Sequence, residues 1–243
     1  MLDTKKRSAA KSLSWRLLAI VVLATVSFLI TRDVQKTSVI TFFYHFVQIA
    51  AFILHERLWN QISWGRSKGV FVQMTGLSGS GKSTIAKAVQ RSMHKKGYRV
   101  EVIDGDEYRE GLCKDLGFSK EDRNTNIRRL GFVGKVLARN DVVTIMSAIN
   151  PYEEVRAELR SMSDNTKTVF VDCDIETLKE RDTKGLYRRA LLPDDHPEKI
   201  AKFTGISDPF DPPFVCDLKI DTSKESEEES VKKLEKFILQ NIS

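Results

Sequence analysis

Residues 76–84 read GLSGSGKST, the pattern G-x-x-x-x-G-K-[ST] extended by one threonine. The apolar run VFVQM (70–74) leads into it, and TIAKAVQRSMHKKG follows with helical periodicity as far as Gly97. Strand, glycine loop and helix in this order make a phosphate-binding loop, because backbone N–H groups must turn inward around phosphate oxygens. Gly76, Gly79 and Gly81 allow that turn, where a Cβ would crowd the chain or the ligand. Lys82 supplies a point charge for the β- and γ-phosphates, and Ser83 a hydroxyl for Mg²⁺. A glycine-rich turn without a ligand is the poorer reading of nine residues in this context.

Beyond the loop, YRVEVIDGD, DVVTIMSAI, KTVFVDCD and DLKID read as strands separated by helical segments. That alternation predicts an α/β fold of the P-loop NTPase kind, with a mostly parallel sheet covered by helices on both faces. Ligands of such sheets sit beyond the carboxyl ends of the strands, so DGD, SAINP and the residues after VDCD should gather around the loop.

The chain has 243 residues and a formal net charge of +6, but the charge is uneven. Residues 1–68 hold ten Lys and Arg against three Asp and Glu, and the rest of the chain is close to balanced. A nucleic-acid enzyme would carry its basic excess on the folded domain, so no nucleic-acid partner is expected. Cys113, Cys173 and Cys216 are widely spaced, match no metal-ligand pattern and read as reduced thiols.

The basic excess flanks two apolar runs, which predicts an α-helical transmembrane hairpin over residues 1–68 with spans at about 13–31 and 37–55. Lys5, Lys6, Arg7, Lys11 and Arg16 precede the first run, and Arg57, Arg66 and Lys68 follow the second. The linker holds only Arg32 and Lys36 against Asp33. The positive-inside rule then puts both ends, and the domain at 69–243, on the cytoplasmic side of the cytoplasmic membrane, with the lipid bilayer as a partner. Leu13, Trp15, Trp59 and Trp64 would extend the spans into the interface, and Thr41, His45, Gln48 and His55 fall on one side as a packing seam. A signal peptide and an ordinary buried hairpin are the competing readings. The stretch KSLSWRLLA…HERLWNQISWGR also resembles a family of two-helix predicted membrane domains, over roughly residues 5–66.

Asp104 and Asp106 end the second strand, where a carboxylate can hold Mg²⁺ through water or take a proton from an attacking hydroxyl. Capping of a helix beginning near Glu107 is an equal alternative for Asp106. Arg109, Arg123, Arg128 and Arg129 follow closely, a density that suits a small anionic acceptor or else a solvated helix face.

GLSGSGKST, DGDEYREGL, LGFSKEDRNTNIRRLG, FVDCDIETLKERDTKGLYRRA and KFTGISDPFDPP, in order over residues 69–243, resemble the adenylyl-sulfate kinase family. The resemblance implies transfer of the γ-phosphate of ATP to the 3′-hydroxyl of adenosine 5′-phosphosulfate, with Mg²⁺ as cofactor. It implies catalytic roles for Lys82, Asp106 and Arg109, and metal contacts from Ser83 and Asp106. The ATP phosphates are implied to lie on Gly76, Leu77, Ser78, Gly79, Ser80, Gly81, Lys82, Ser83 and Thr84, with Arg181 nearby. Adenosine 5′-phosphosulfate is implied to meet Asp106, Arg109, Arg123, Asn126, Ile149 and Lys184, its adenine clasped by Phe118 and Phe203. A basic lid is implied at about 184–214, including Lys184, Arg188 and Arg189, together with a homodimer and a separate ATP sulfurylase that makes the acceptor.

Two positions depart from the family. Asn150 stands where many members have a serine that becomes phosphorylated in some, so a covalent phospho-enzyme there is excluded. Glu153 replaces a common arginine, and Asp194, Asp195 and Glu198 make the lid unusually acidic; these would weaken anion binding or point into water. A catalytically impaired nucleotide-binding module at the membrane, or a kinase of another small alcohol, are the alternative functions.

Overall fold

The computed structural model describes residues 5–29, 34–62, 68–182 and 184–242. The chain divides into two compact units, 1–66 and 67–243.

The first unit is a helical pair, α1 (Lys5–Leu29) and α2 (Val34–Gln61). At one end the helices meet through polar groups. Ser14 Oγ lies 2.9 Å from His55 Nε2, Trp59 Nε1 donates to His55 Nε2 at 3.1 Å, and Lys11 pairs with Glu56 at 3.4 Å. Trp15 packs edge-on against Phe52, with ring centroids 4.9 Å apart. His55 thus belongs to a seam, as its helical spacing suggested. Leu17, Val21, Phe46, Ile49 and Leu54 remain exposed. Among the described residues no helix is long and apolar enough to cross a membrane. Each helix continues from its apolar run into charged turns, with Arg7, Lys11 and Arg16 in α1 and Glu56 and Arg57 in α2. The two expected crossings are thus unconfirmed among the described residues. Thr31, Arg32, Asp33, Trp64 and Arg66 lie outside the described residues, as do the side chains of Lys5, Lys6, Lys36, Thr41 and His45.

In the second unit five strands, β1 (Phe71–Thr75), β2 (Val100–Asp104), β3 (Val143–Ser147), β4 (Thr166–Asp172) and β5 (Leu218–Asp221), form one sheet in the order β2-β3-β1-β4-β5. Every pairing is parallel. Each strand therefore needs a crossover helix, and both faces must be covered. Alternation along β1 shows how. Val70, Val72 and Met74 belong to a core with Ile85, Val89 and Met93 of α3 (Lys82–Lys95) and Leu234, Ile238 and Ile242 of α9 (Glu227–Ile242). Phe71, one residue out of phase, belongs to the opposite core with Ile127 and Leu130 of α5 (Lys120–Arg139) and Val155 and Leu159 of α6 (Glu153–Ser161). α5 lies so close to β1 that a Cβ on Gly134 would come within 2.3 Å of the Phe71 ring.

Local signals set the helix starts. Ser119 accepts from Asp122 N at 3.1 Å and donates to the Asp122 carboxylate, a reciprocal cap on α5. Asp174 caps α7 (Ile175–Arg181) through Thr177 N at 2.8 Å. All three thiols are free, with Cys113 and Cys173 buried.

Candidate active site

The phosphate loop lies at the carboxyl end of β1 and enters α3. Gly79 and Gly81 take φ of 78° and 91°, the left-handed region that glycine adopts without cost. Gly76 passes so close to β4 that a Cβ there would sit 2.2 Å from the Val171 carbonyl oxygen. Lys82 Nζ turns back over the loop and donates to Gly76 O at 2.8 Å, Leu77 O at 2.6 Å and Ser80 Oγ at 3.2 Å. Burial pushes its pKa down to about 7, against the pull of Asp106 and Asp104. A proton on Lys82 is therefore held weakly by the protein and would be held more firmly by added phosphate charge.

Ser83 Oγ lies 3.0 Å from Ser147 Oγ at the end of β3. Ser147 stands in register with Asp104, which ends β2. Asp104 is the cap of α4 (Gly105–Gly111), accepting from Asp106 N at 3.0 Å. The capping alternative for Asp106 is thereby corrected: the cap lies two residues earlier. Asp106, in the first turn, is left with a largely exposed carboxylate that accepts from Lys184 Nζ at 2.7 Å. This bond raises the Lys184 pKa.

Asp106, Arg109, Phe118, Arg123, Asn126 and Ile149 line one cavity of about 100 Å³, together with Asn150 and Pro151. The Arg109 guanidinium sits 4.5 Å from the Phe118 ring centroid and donates to Gly117 O at 2.7 Å. Arg123 is more occupied. It donates to Phe118 O at 3.1 Å, Thr204 Oγ1 at 2.6 Å and Lys202 O at 3.0 Å, and lies 3.6 Å from the Asp208 carboxylate. It ties the segment 202–208 to the start of α5.

Three groups of side chains lie apart from this cavity. Arg128 and Arg129 do not join the cavity: their ion pairs with Glu158 (2.8 Å) and Asp115 (2.6 Å) lie on the surface, as a solvated helix face would have it. Phe203 does not face Phe118 across the cavity. It is buried edge-on against Tyr187, with centroids 4.9 Å apart, in a small core with Cys173 and Leu178, while Phe118 is 60% exposed. The lid acids point into water: Asp194, Asp195 and Glu198 are exposed, and Asp194 pairs with Lys199 at 2.8 Å. Glu153 likewise turns to its own helix. Burial opposes its ionisation, but Arg160 and Arg156 outweigh this and hold its carboxyl below the usual range.

Sequence reasoning missed Tyr187. Asp182 accepts from Tyr187 N (3.0 Å) and Arg188 N (2.9 Å) at the start of α8 (Leu186–Ala190), and Tyr187 Oη donates to Ser78 O at 2.8 Å. The segment that carries Lys184 is thus pinned to the phosphate loop. On the far side of the loop a cavity of about 250 Å³ is lined by Thr84, Arg181, Thr222, Glu225 and Ser230. Arg181 donates to Thr222 O at 2.7 Å, and Thr222 Oγ1 to Ser80 O at 3.1 Å. Two cavities therefore flank one phosphate loop, as a two-substrate phosphoryl transfer requires. Among the described residues no cluster of three or more His, Cys, Asp or Glu could hold a metal by itself. The hydroxyl of Ser83 and the exposed carboxylate of Asp106 are hard oxygen donors, and so few of them fit Mg²⁺, which keeps much of its water.

A parallel sheet, a phosphate loop and paired cavities define an ATP-dependent phosphotransferase of the P-loop kinase fold. The family model for adenylylsulphate kinase matches residues 68–221, and the chain belongs to that family. An adenylyl-sulfate kinase of Microcystis aeruginosa is 48% identical over 169 residues, covering 70% of this chain and 91% of that one. One of Rippkaea orientalis is 46% identical, with the same coverage. The solved structure of a Mycobacterium tuberculosis APS kinase in complex with AMPPNP and APS superposes with a TM-score of 0.65 at 36% identity, covering 71% of this chain and 99% of that one. A second family model, described as a predicted membrane protein (DUF2061), matches residues 9–60.

Proposed function

We propose that this chain transfers the γ-phosphate of ATP to the 3′-hydroxyl of adenosine 5′-phosphosulfate, and that residues 1–66 hold the enzyme at a membrane. Family membership supports the reaction. The observation that carries the assignment of residues is the reach of Asp106, on the cavity wall, to Lys184, on a segment pinned to the phosphate loop.

ATP lies with its phosphates in the loop 76–84 and its nucleoside toward Arg181 and Thr222. Lys82, released from the loop carbonyls, turns its ammonium to the β- and γ-phosphates. Ser83 and, through water, Asp106 would hold Mg²⁺, which neutralises phosphate charge as the transfer proceeds. The acceptor occupies the cavity beside Asp106, which receives the proton of the 3′-hydroxyl. Arg109 faces the phosphosulfate, Phe118 stacks on the base, Ile149 and Asn126 border the nucleotide, and Arg123 shapes the wall by holding 202–208. Lys184, Arg188 and Arg189 belong to a lid over about 184–214 that excludes water from the transferring group. Phe203 joins the base only if this lid rearranges.

For the hairpin, the support is the family match at 9–60 and the exposed apolar side chains of both helices. A separate ATP sulfurylase supplies the acceptor. ADP formation by the purified full-length chain, with and without adenosine 5′-phosphosulfate, tests the reaction. Flotation of that chain with lipid vesicles tests the hairpin; recovery in the protein-only fraction would contradict membrane attachment.

A further inference from the structure

Among the described residues of the kinase unit, three buried side-chain polar atoms lack a hydrogen-bond partner: Asn126 Oδ1, Asn150 Oδ1 and Ser230 Oγ. All three residues line one or other of the two cavities beside the phosphate loop, and Asn126 and Asn150 share the acceptor side. Buried polar atoms are rarely left unpaired, so a pair of them on one cavity wall calls for a ligand group.

The orientation of the Asn150 amide is fixed by its neighbours. Gln73 Nε2 donates to Arg156 O and Thr168 Oγ1, both at 3.0 Å, so Gln73 Oε1 must be the atom that faces Asn150. It accepts from Asn150 Nδ2 at 3.1 Å, which makes the unpartnered Asn150 atom the carbonyl oxygen. The backbone is fixed as well. Asn150 O accepts from Arg156 Nη1 at 2.6 Å and Thr75 Oγ1 at 3.0 Å, while φ sits at 46°, a left-handed conformation that asparagine tolerates. Asn150 is therefore a rigid acceptor, and it cannot pair with the phosphosulfate, whose oxygens carry no proton.

Taking adenosine 5′-phosphosulfate as the acceptor, on which this step rests, its donors are the ribose hydroxyls and the base amine. Asp106 lines the same small cavity and receives the 3′-hydroxyl, and the 2′-hydroxyl is on the adjacent carbon. The base amine lies at the other end of the nucleoside, toward Phe118. We infer that Asn150 Oδ1 accepts the hydrogen bond of the ribose 2′-hydroxyl and so selects a ribonucleotide as the phosphate acceptor.

The test is calorimetric titration of the full-length chain with adenosine 5′-phosphosulfate, its 2′-deoxy analogue and its inosine analogue. Wild type, Asn150→Ala and Asn150→Gly are compared, with thermal unfolding run alongside. Glycine accommodates the positive φ, so the second variant removes the amide without backbone strain. Wild type should bind the deoxy analogue about tenfold more weakly than the ribonucleotide, and both variants should bind the two alike. A general structural role would weaken both ligands equally and leave the ratio intact. A ratio near one in wild type, or the wild-type ratio persisting in the variants, overturns the assignment. If only discrimination against the inosine analogue disappears, the base amine is the donor and the ribose assignment fails. If wild type binds none of the three, the proposed reaction fails with it; binding without coupling removes this inference alone.

Discussion

Lys184 Nζ and Asp106 Oδ2 are 2.7 Å apart, joining the turn before α8 to the first turn of α4, where Asp106 lines the cavity of about 100 Å³. The two groups come from opposite sides of the phosphate loop. In the proposed reaction their pairing would place a cation beside the group that takes the proton of the attacking hydroxyl.

Asp106→Asn removes the acceptor of the proton while keeping the shape. Acceptor-dependent ADP formation should fall about 10²- to 10⁴-fold, with ATP binding retained. Fluorescent-nucleotide binding beside the turnover assay measures both, and near-normal turnover would remove Asp106 from the chemistry.

Lys82 gives a stability prediction of definite sign. Its folded pKa, about 7, lies below the ordinary 10.5, so between these values the unfolded chain holds a proton that the folded chain has lost. Stability therefore rises with pH through this window, by at most about 1.4 kcal/mol per pH unit for one proton. The destabilisation is fully present below about pH 7 and relieved above it. Lys82→Met should flatten that slope in denaturant unfolding from pH 6 to 10, and should lower turnover about 10²-fold or more. An unchanged slope would show that the ammonium is not buried as described.

The two phenylalanines should separate by measurement. Phe203→Ala empties a core position and should cost about 3 to 5 kcal/mol of stability. Phe118→Ala, at an exposed ring, should leave stability within about 0.5 kcal/mol yet weaken acceptor binding by about 1 to 3 kcal/mol. The reverse pattern would show that Phe203, rather than Phe118, faces the nucleotide.

Gly134→Ala tests the close approach of α5 to β1. The added methyl meets the Phe71 ring and should destabilise by about 1 to 3 kcal/mol despite the gain in helix propensity. A rise in the unfolding midpoint would mean that the ring moves aside freely.

The phosphate loop and the parallel sheet were legible because a strand-loop-helix with fixed glycine positions has few other uses, and because β1, β3 and β4 are short apolar runs between helical segments. Asp106 and Arg109, left open by residue type and singled out by the family resemblance, do lie together on one cavity wall. Arg123, Arg128 and Arg129 show the limit: residue type says nothing of which face of α5 a guanidinium leaves, and only the folded chain reveals that Arg123 is taken up by Thr204 and Lys202 while the other two pair at the surface. Tyr187 was invisible for the same reason, since its partner, Ser78, is distant in sequence, whereas Ser147, which meets Ser83, lies in the SAINP stretch expected beside the loop. The hairpin exposes a different gap. Apolar run length suggested crossings, yet among the described residues no helix is long and apolar enough to make one.

The measurement closest to the central claim is the rate of ADP formation by the full-length chain in MgATP, with adenosine 5′-phosphosulfate added or omitted. The account predicts turnover that depends on the acceptor, yields the 3′-phosphorylated product in equal amount and is lost in Asp106→Asn. Nucleotide binding with no acceptor-dependent turnover, or turnover indifferent to Asp106, would contradict it.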